Sequence, residues 1–469
     1  MDDETAKLLR DTAERAIDYM RGADGRHVGA IEDATTIAQR LRVVLPGEPD
    51  EPARVIERMA RDVDPGIVAS TGGRYFGFVT GGALPASVAA DWLAAAWDQN
   101  AATHSLSPAA AAAEQVAGEW VLELLGLPAE WSTGLATGAG LGNAVGLAAG
   151  RHAVLAREGW DVETRGLYGA PEIEVIVGGE AHATALTALQ YLGLGRERVT
   201  RVAVDGQGAM RPDAFAEVMA SAGDHPVLVS AQAGNVNTGA FDPLNSIADA
   251  VDAHPNAWLH VDGAFGAWAA VSPGLRHLVA GLERADSVAT DAHKWLNVGY
   301  DCGFVGVRDL DAHRAAMAVS AAYLLPGSGK RDGWEYVLDS SRRARGFGLY
   351  ATLRSLGRDG VRALVERCCE LARQMAARLS AESGIDVLND VVLNQVLVRF
   401  DDDDATTNEV IRRVQEDGTA WMGGTVWQGR AAMRISVSNW STSAADIDRT
   451  ADAILRAFRS PAPPSQSPQ

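Results

Sequence analysis

A lysine does imine chemistry only when part of it is neutral, which a desolvated or electropositive pocket achieves. Lys294, in the run Asp291-Ala292-His293-Lys294-Trp295, is a candidate for that role. Upstream, His260-Val261-Asp262-Gly263-Ala264 offers a complementary group. Asp262 could pair with a protonated ring nitrogen of a bound cofactor, and the small residues after it would let a flat ring lie close to the backbone. Taken singly, a surface lysine and a helix-capping aspartate are the commoner explanations. Set just past two strands, the two together favour a site.

Two further runs add to this pair. Ala136-Thr137-Gly138-Ala139-Gly140-Leu141-Gly142-Asn143 leads into a helix, and backbone amides at a helix N-terminus bind phosphate. A tight turn would explain the same glycines, and no Gly-Lys-Ser/Thr follows, so this is not a nucleotide-binding P-loop. His182, in Gly179-Glu180-Ala181-His182-Ala183-Thr184, also falls just past a strand-like run. A lone histidine is more often structural than catalytic.

The elements that must position these groups read as alternating strands and helices. β-branched runs recur at 173–177, 199–204, 227–230, 258–261, 287–290 and 303–307, with helical or loop segments between them. Such alternation predicts a mostly parallel sheet covered by helices, with ligands beyond the carboxyl ends of the strands. The segment 1–85 reads as helical, opening with Leu9, Ala13, Ile17 and Met20 on one face. Residues 86–345 form the expected large α/β domain. Residues 346–460 form a smaller α+β domain, entered by an amphipathic helix carrying Val361, Leu364, Cys368, Leu371 and Met375. The Pro- and Ser-rich tail 461–469 is expected to be disordered.

Composition excludes several classes of function. A net charge of -19 on 469 residues would be repelled by nucleic-acid phosphates and anionic membranes. The three cysteines, Cys302, Cys368 and Cys369, have neither a disulfide framework nor metal-ligand spacing, so no metal is expected and a reducing cytoplasm fits. The acidic start Met1-Asp2-Asp3-Glu4 is unlike a secretory signal, and the apolar stretch near Pro85 to Trp97 is too short to span a bilayer. The run Asp401 to Asp404 reads as a solvated turn before it reads as a metal or docking site.

With these residues in view, the chain resembles the group II pyridoxal-phosphate decarboxylases, relatives of the aromatic-amino-acid and glutamate decarboxylases with an aspartate-aminotransferase-like fold. The resemblance runs from Tyr75-Phe76-Gly77 and Ser107-Pro108 through His260-Val261-Asp262, His293-Lys294-Trp295-Leu296 and Asp301-Cys302 to the C-terminal domain. It implies that Lys294 holds pyridoxal 5'-phosphate as a Schiff base and that Asp262 pairs with the pyridine nitrogen. It further implies Ala264 beneath the ring, His182 stacked over it, phosphate held by Gly138, Ala139, Gly140 and His293, and Thr238 lining the site. A homodimer with an amino-acid substrate follows from the same likeness.

Three departures shape the expectation. Gly140 replaces a frequent serine, so backbone amides must do more of the binding. Asp291 stands where aromatic decarboxylases usually have asparagine, as in the archaeal decarboxylase and sphingosine-phosphate lyase branches. The mobile loop's catalytic tyrosine aligns with Gly333 or Trp334, with Tyr323 and Tyr336 nearby. Decarboxylation to an amine is therefore the first expectation. An oxidative route to an aldehyde, a carbon-carbon lyase and a catalytically silent cofactor-binding protein stand as alternatives. Tyr75, Phe76, Trp97, His104 and Tyr336 are candidate substrate contacts. Arg434 could meet a substrate carboxylate, although a structural ion pair is the commoner use of such an arginine. Arg342, Arg343 and Arg345 could close the loop or bind a partner subunit.

Overall fold

The computed structural model describes residues 1–318 and 330–460. Tyr323 and the tail Pro461 to Gln469 fall outside the described residues. The chain forms two compact units, one of residues 81–373 with 389–396, the other of residues 1–80, 374–388 and the chain from Leu397.

The larger unit is built on a seven-stranded sheet. Its strands are β1 (Ser132–Ala136), β2 (Glu174–Gly178), β3 (Val199–Val202), β4 (Val227–Gln232), β5 (Ala257–Asp262), β6 (Ser287–Asp291) and β7 (Gly303–Val307). Their order across the sheet is β1-β7-β6-β5-β4-β2-β3. Strands β2 to β6 run parallel, while β7 lies antiparallel to both β6 and β1. The predicted mostly parallel sheet is present, with β1 as a strand that the β-branched pattern did not mark. Sequence Ser-Thr-Gly-Leu-Ala carries little β-branching, yet every residue of β1 is buried, so its partner β7 decides its conformation rather than propensity.

The helix Ala139–Arg157 lies across this sheet and touches β1, β4, β5, β6 and β7. Glycines make that approach possible. A Cβ on Gly142 would come within 3.2 Å of the Phe304 carbonyl, one on Gly146 within 2.6 Å of the His260 ring, and one on Gly150 within 2.6 Å of the Trp258 indole. Behind them Val145, Leu147, Val154, Val177, Leu228 and Trp258 form one apolar core. The helix Gly346–Ser380 is broken at Gly357, where φ is 62°, and its later part holds the predicted amphipathic stretch.

The smaller unit carries a four-stranded antiparallel sheet. Its strands β8 (Ile385–Val387), β9 (Gln395–Phe400), β10 (Gly423–Trp427) and β11 (Arg430–Ser436) are ordered β10-β11-β9-β8. Tyr75 stacks on Trp421 with ring centroids 5.1 Å apart, so the chain before residue 81 packs on this unit's C-terminal part.

Charged clusters that invited functional readings find partners within the chain, and the Asp401 to Asp404 run is an exposed turn, as expected. Arg342 is buried and bonds Glu114 and the Ala101 and Leu135 carbonyls, Arg343 pairs with Asp91, and Arg345 pairs with Asp301. Asp402 and Asp404 pair with Arg399, and Asp403 caps the helix Asp404–Asp417. Among the described residues no acidic, His and Cys cluster suits a metal ion, and no helix is long and apolar enough to cross a membrane.

Candidate functional site

Neighbouring strands deliver the candidate residues at their carboxyl ends. Gln232 ends β4 opposite Asp262, which ends β5, and Asp262 stands opposite Ala289, two residues before the end of β6. Lys294 follows β6 directly. Parallel strands with short turns after them can place such groups side by side without any sequence proximity. Gly81 reinforces the turn: a Cβ there would fall 1.7 Å from the Lys294 carbonyl oxygen, so only glycine allows that approach.

Asp262 is 5% exposed. Its Oδ2 accepts a hydrogen bond from Asn143 Nδ2 at 2.9 Å, and its Oδ1 accepts the Ala264 amide at 3.2 Å. Among the described residues, no lysine, arginine or histidine pairs with it. A buried carboxylate without a cation is costly, and its situation suits a positively charged group supplied from outside the chain.

One strand over, Lys294 Nζ lies 3.0 Å from Asp291 Oδ2. Asp291 Oδ1 accepts the Ala139 amide at 2.6 Å and stands 3.4 Å from His293 Nε2. The amide of Ala139, expected to hold phosphate, is therefore already engaged. The Gly138 turn is crowded on the other side, since a Cβ on Gly303 would come within 2.5 Å of Gly138. His293 Nδ1 accepts the Cys302 amide at 3.2 Å, which puts the ring proton on Nε2, facing Asp291. Burial pushes the His293 ring below its ordinary pKa, against the pull of Asp291. Gly140 faces open space, with only Thr184 near at 3.7 Å, and a cavity of about 320 Å³ lies over Thr137, Gly138, Gly140, Leu141 and Thr184.

His182 caps the helix Ala183–Tyr191 at the end of β2. Its Nδ1 takes the Thr184 hydroxyl at 2.7 Å and amide at 3.3 Å, and its own backbone amide donates to Gln232 Oε1 at 3.2 Å. The ring proton is accordingly on Nε2. Ala264 follows Asp262 and accepts the Asp291 amide through its carbonyl at 2.9 Å, tying the two turns together. Thr238 is buried, and its hydroxyl donates to the Gln207 carbonyl at 2.7 Å and accepts the Ala240 amide at 3.2 Å. That hydroxyl holds the Asn235 to Ala240 turn.

The substrate candidates are dispersed. His104 bonds Asp332 at 2.7 Å, and together with Tyr336 lines a cavity of about 640 Å³ whose walls include none of Lys294, Asp262 and His182. Tyr336 packs its ring under Arg331 and edge-on to His313. Trp97 is half exposed beside Phe347. Tyr75, Phe76 and Arg434 belong to the smaller unit, where Phe76 is fully buried. Arg434 was expected to sit in an ion pair. Among the described residues no carboxylate pairs with it, and burial pushes its guanidinium pKa down. A half-buried guanidinium of this kind is a ready ligand for a carboxylate.

Two supporting residues escaped the candidate set. Asn143 was quoted only as the end of the Gly-rich run, and Asp291 only as the head of the lysine run and as a departure. The signal for Asn143 was a polar residue one helical turn inside an otherwise small and apolar helix face, which must find a partner once buried.

The family described as pyridoxal-dependent decarboxylase conserved domain matches residues 36–401. The human acidic amino acid decarboxylase GADL1 is 31% identical over 349 residues, covering 72% of this chain and 65% of that protein, just under two thirds of its length. Tryptophan decarboxylase 1 of rice (Oryza sativa subsp. japonica) is 27% identical over 417 residues, covering 82% of this chain and 80% of that protein. The crystal structure of Oryza sativa TDC with PLP and tryptamine superposes with a TM-score of 0.90 over 98% of both chains at 22% identity, a likeness of fold.

Proposed function

The chain belongs to the pyridoxal-dependent decarboxylase family, and we propose that it removes the α-carboxyl group of an L-amino acid to leave the amine. One observation carries the reading: the buried carboxylate of Asp262, which no cation pairs with among the described residues, stands one strand from Lys294. A protonated pyridine ring supplies the missing cation, and an aldehyde on the same ring suits the lysine amine, so the donor set fits pyridoxal phosphate. Lys294 would hold the cofactor covalently, Asp262 its ring nitrogen, and Gly138, Gly140 and His293 its phosphate. Ala264 and His182 would flank the ring.

Bound pyridoxal phosphate supplies an electron-accepting ring for the pair released as carbon dioxide leaves. The chain's own residues then have distinct tasks. Asp262 keeps the ring-nitrogen proton in place by offering a fixed negative charge in a buried setting. Asp291 receives the Lys294 ammonium whenever that amine is free. His182, with its proton on Nε2, is the group we assign to return a proton to the substrate's α-carbon.

We also assign a homodimer. The half-exposed Trp92, Leu93 and Trp97 on helix Pro85–Trp97 suit a face covered by a second copy. Residues 1–85 are assigned to wrap that copy. Sedimentation of the holoenzyme tests both.

The deciding experiment incubates the holoenzyme with a panel of L-amino acids and follows carbon dioxide, amine, aldehyde and hydrogen peroxide together. Amine equal to carbon dioxide is the expected result. Aldehyde with peroxide would replace it by the oxidative route, which the absence of a tyrosine at Gly333 and Trp334 leaves as the second reading.

A further inference from the structure

Behind Asp262 lies a chain of buried polar groups that the reaction itself does not use. Trp258 Nε1 bonds Ser287 Oγ at 3.0 Å, and Ser287 Oγ bonds His260 Nδ1 at 2.8 Å. His260 Nε2 bonds Asn143 Oδ1 at 3.0 Å, and Asn143 Nδ2 bonds Asp262 Oδ2 at 2.9 Å. Asn143, His260 and Ser287 are fully buried and Trp258 is 1% exposed, so water does not compete for these bonds.

Chemistry at the two ends fixes the direction of every bond. The indole N–H of Trp258 can only donate, and the carboxylate of Asp262 accepts from an amide N–H₂. Asn143 must therefore turn its carbonyl to His260, whose Nε2 must carry the proton. His260 Nδ1 is then an acceptor, and the Ser287 hydroxyl must donate to it. All four donors point towards Asp262. Burial keeps the His260 ring neutral, pushing its pKa down to about 3, so the single tautomer persists through ordinary pH.

The covering helix is cut to fit the same chain. Gly146 leaves room for the His260–Ser287 pair, where a Cβ would meet the two at 2.6 and 2.9 Å, and Gly150 leaves room for the Trp258 ring. A packing role alone would not need four polar groups in one consistent sense. Apolar residues fill such space more cheaply.

We propose that Trp258, Ser287, His260 and Asn143 form a one-way hydrogen-bond relay that fixes the Asp262 carboxylate for the cofactor's ring nitrogen. They are positioning residues, and the proposal rests on the assignment of Asp262 made above. Without Asn143, the Asp262 carboxylate keeps only the Ala264 amide among the described residues and is free to turn.

The test reconstitutes the enzyme with pyridoxal phosphate labelled with ¹⁵N in the ring and reads both the cofactor dissociation constant and the ring-nitrogen signal. Asn143→Ala should weaken binding about tenfold, the scale of one hydrogen bond to a charged group, and move the signal towards its deprotonated position. In an Asp262→Asn background the same change should add less than about twofold. Equal loss in both backgrounds, or a ring signal left at its wild-type position, overturns the relay. Should Asn143→Ala not fold, His260→Leu and His260→Gln decide. Glutamine keeps a donor towards Asn143 and should restore the signal that leucine loses, and identical spectra overturn the proposal. Asp262→Asn alone with wild-type binding and signal refutes the assignment of Asp262 itself.

Discussion

Asp291, the last residue of β6, and Lys294 form an ion pair of 3.0 Å, and the second oxygen of Asp291 occupies the Ala139 amide at 2.6 Å. One carboxylate thus neutralises the reactive amine and competes with any phosphate for the helix N-terminus. Asparagine in its place would keep the shape and the acceptor while removing the charge.

Asp291→Asn should therefore favour the phosphorylated cofactor selectively. The ratio of affinities for pyridoxal phosphate over pyridoxal should rise about tenfold, as expected for removing one negative charge near a dianion in a partly buried site. Equilibrium titration of the apo form with each compound measures it. An unchanged ratio would remove the phosphate from the Gly138 to Gly140 turn.

Lys294→Ala should abolish the visible absorbance of the covalently held cofactor and lower decarboxylation by at least about a hundredfold. The apo protein should keep its melting temperature within a few degrees, because the lysine stem is not a core element: its side chain remains 21% exposed. A retained imine spectrum would show that another amine is the anchor.

How far the sequence announced this site depends on where each partner came from. Lys294, Asp262 and His182 were legible because each follows a β-branched run, and strand ends are where a parallel sheet gathers its ligands. The parallel strands β2 to β6 announced themselves in the same way. β1 did not, because its conformation comes from β7 across the sheet. The supports of Asp262 were hidden for a related reason. Asn143 and His260 are 117 positions apart and meet only when the helix crosses the sheet. The pairings of the arginines at 342 and 343 were hidden too, since a basic cluster in sequence says nothing of carboxylates far upstream such as Asp91 and Glu114. Tyr336 came from its nearness to the aligned loop tyrosine, and neither it nor His104 had a strand end to place it.

Glu114 illustrates what those hidden pairings are worth. Burial by itself would push its carboxyl pKa up, but Arg342 and Arg331 hold it below the ordinary carboxylate value. Arg342 Nη2 approaches it to 3.0 Å with no exposed side-chain surface. Glu114→Leu would leave the Arg342 guanidinium buried without its counter-charge, at a cost of about 3–5 kcal/mol. Glu114→Leu combined with Arg342→Met should recover part of that loss, measured by chemical denaturation. A single variant within about 0.5 kcal/mol of wild type would mean that the carbonyls of Ala101 and Leu135 suffice for Arg342.

Acid stability should follow three buried groups with opposing signs. Burial lowers His313 from 6.5 to about 4 and His260 from 6.5 to about 3, so the folded state refuses protons that the unfolded chain binds below pH 6.5. Their stabilising contribution is complete above that pH and is lost as the pH falls towards those values. Asp242 works the other way. Burial raises it from 3.8 to about 6, so its contribution is complete below 3.8 and is lost as the pH rises through about 6. Near pH 5 the unfolded chain gains about two protons at the histidines and gives up about one at Asp242. Net uptake from these three groups is about one proton, so their joint contribution to stability should fall by about 1.4 kcal/mol per pH unit on acidification. His313→Gln removes one of the two histidine terms and should flatten the slope near pH 5 by that amount. His313 bonds Ser132 Oγ and the Tyr336 carbonyl, so glutamine can keep one of these contacts while losing the titration. The pH dependence of the unfolding free energy in wild type and variant measures the difference, and parallel curves would show that His313 titrates normally in the folded chain.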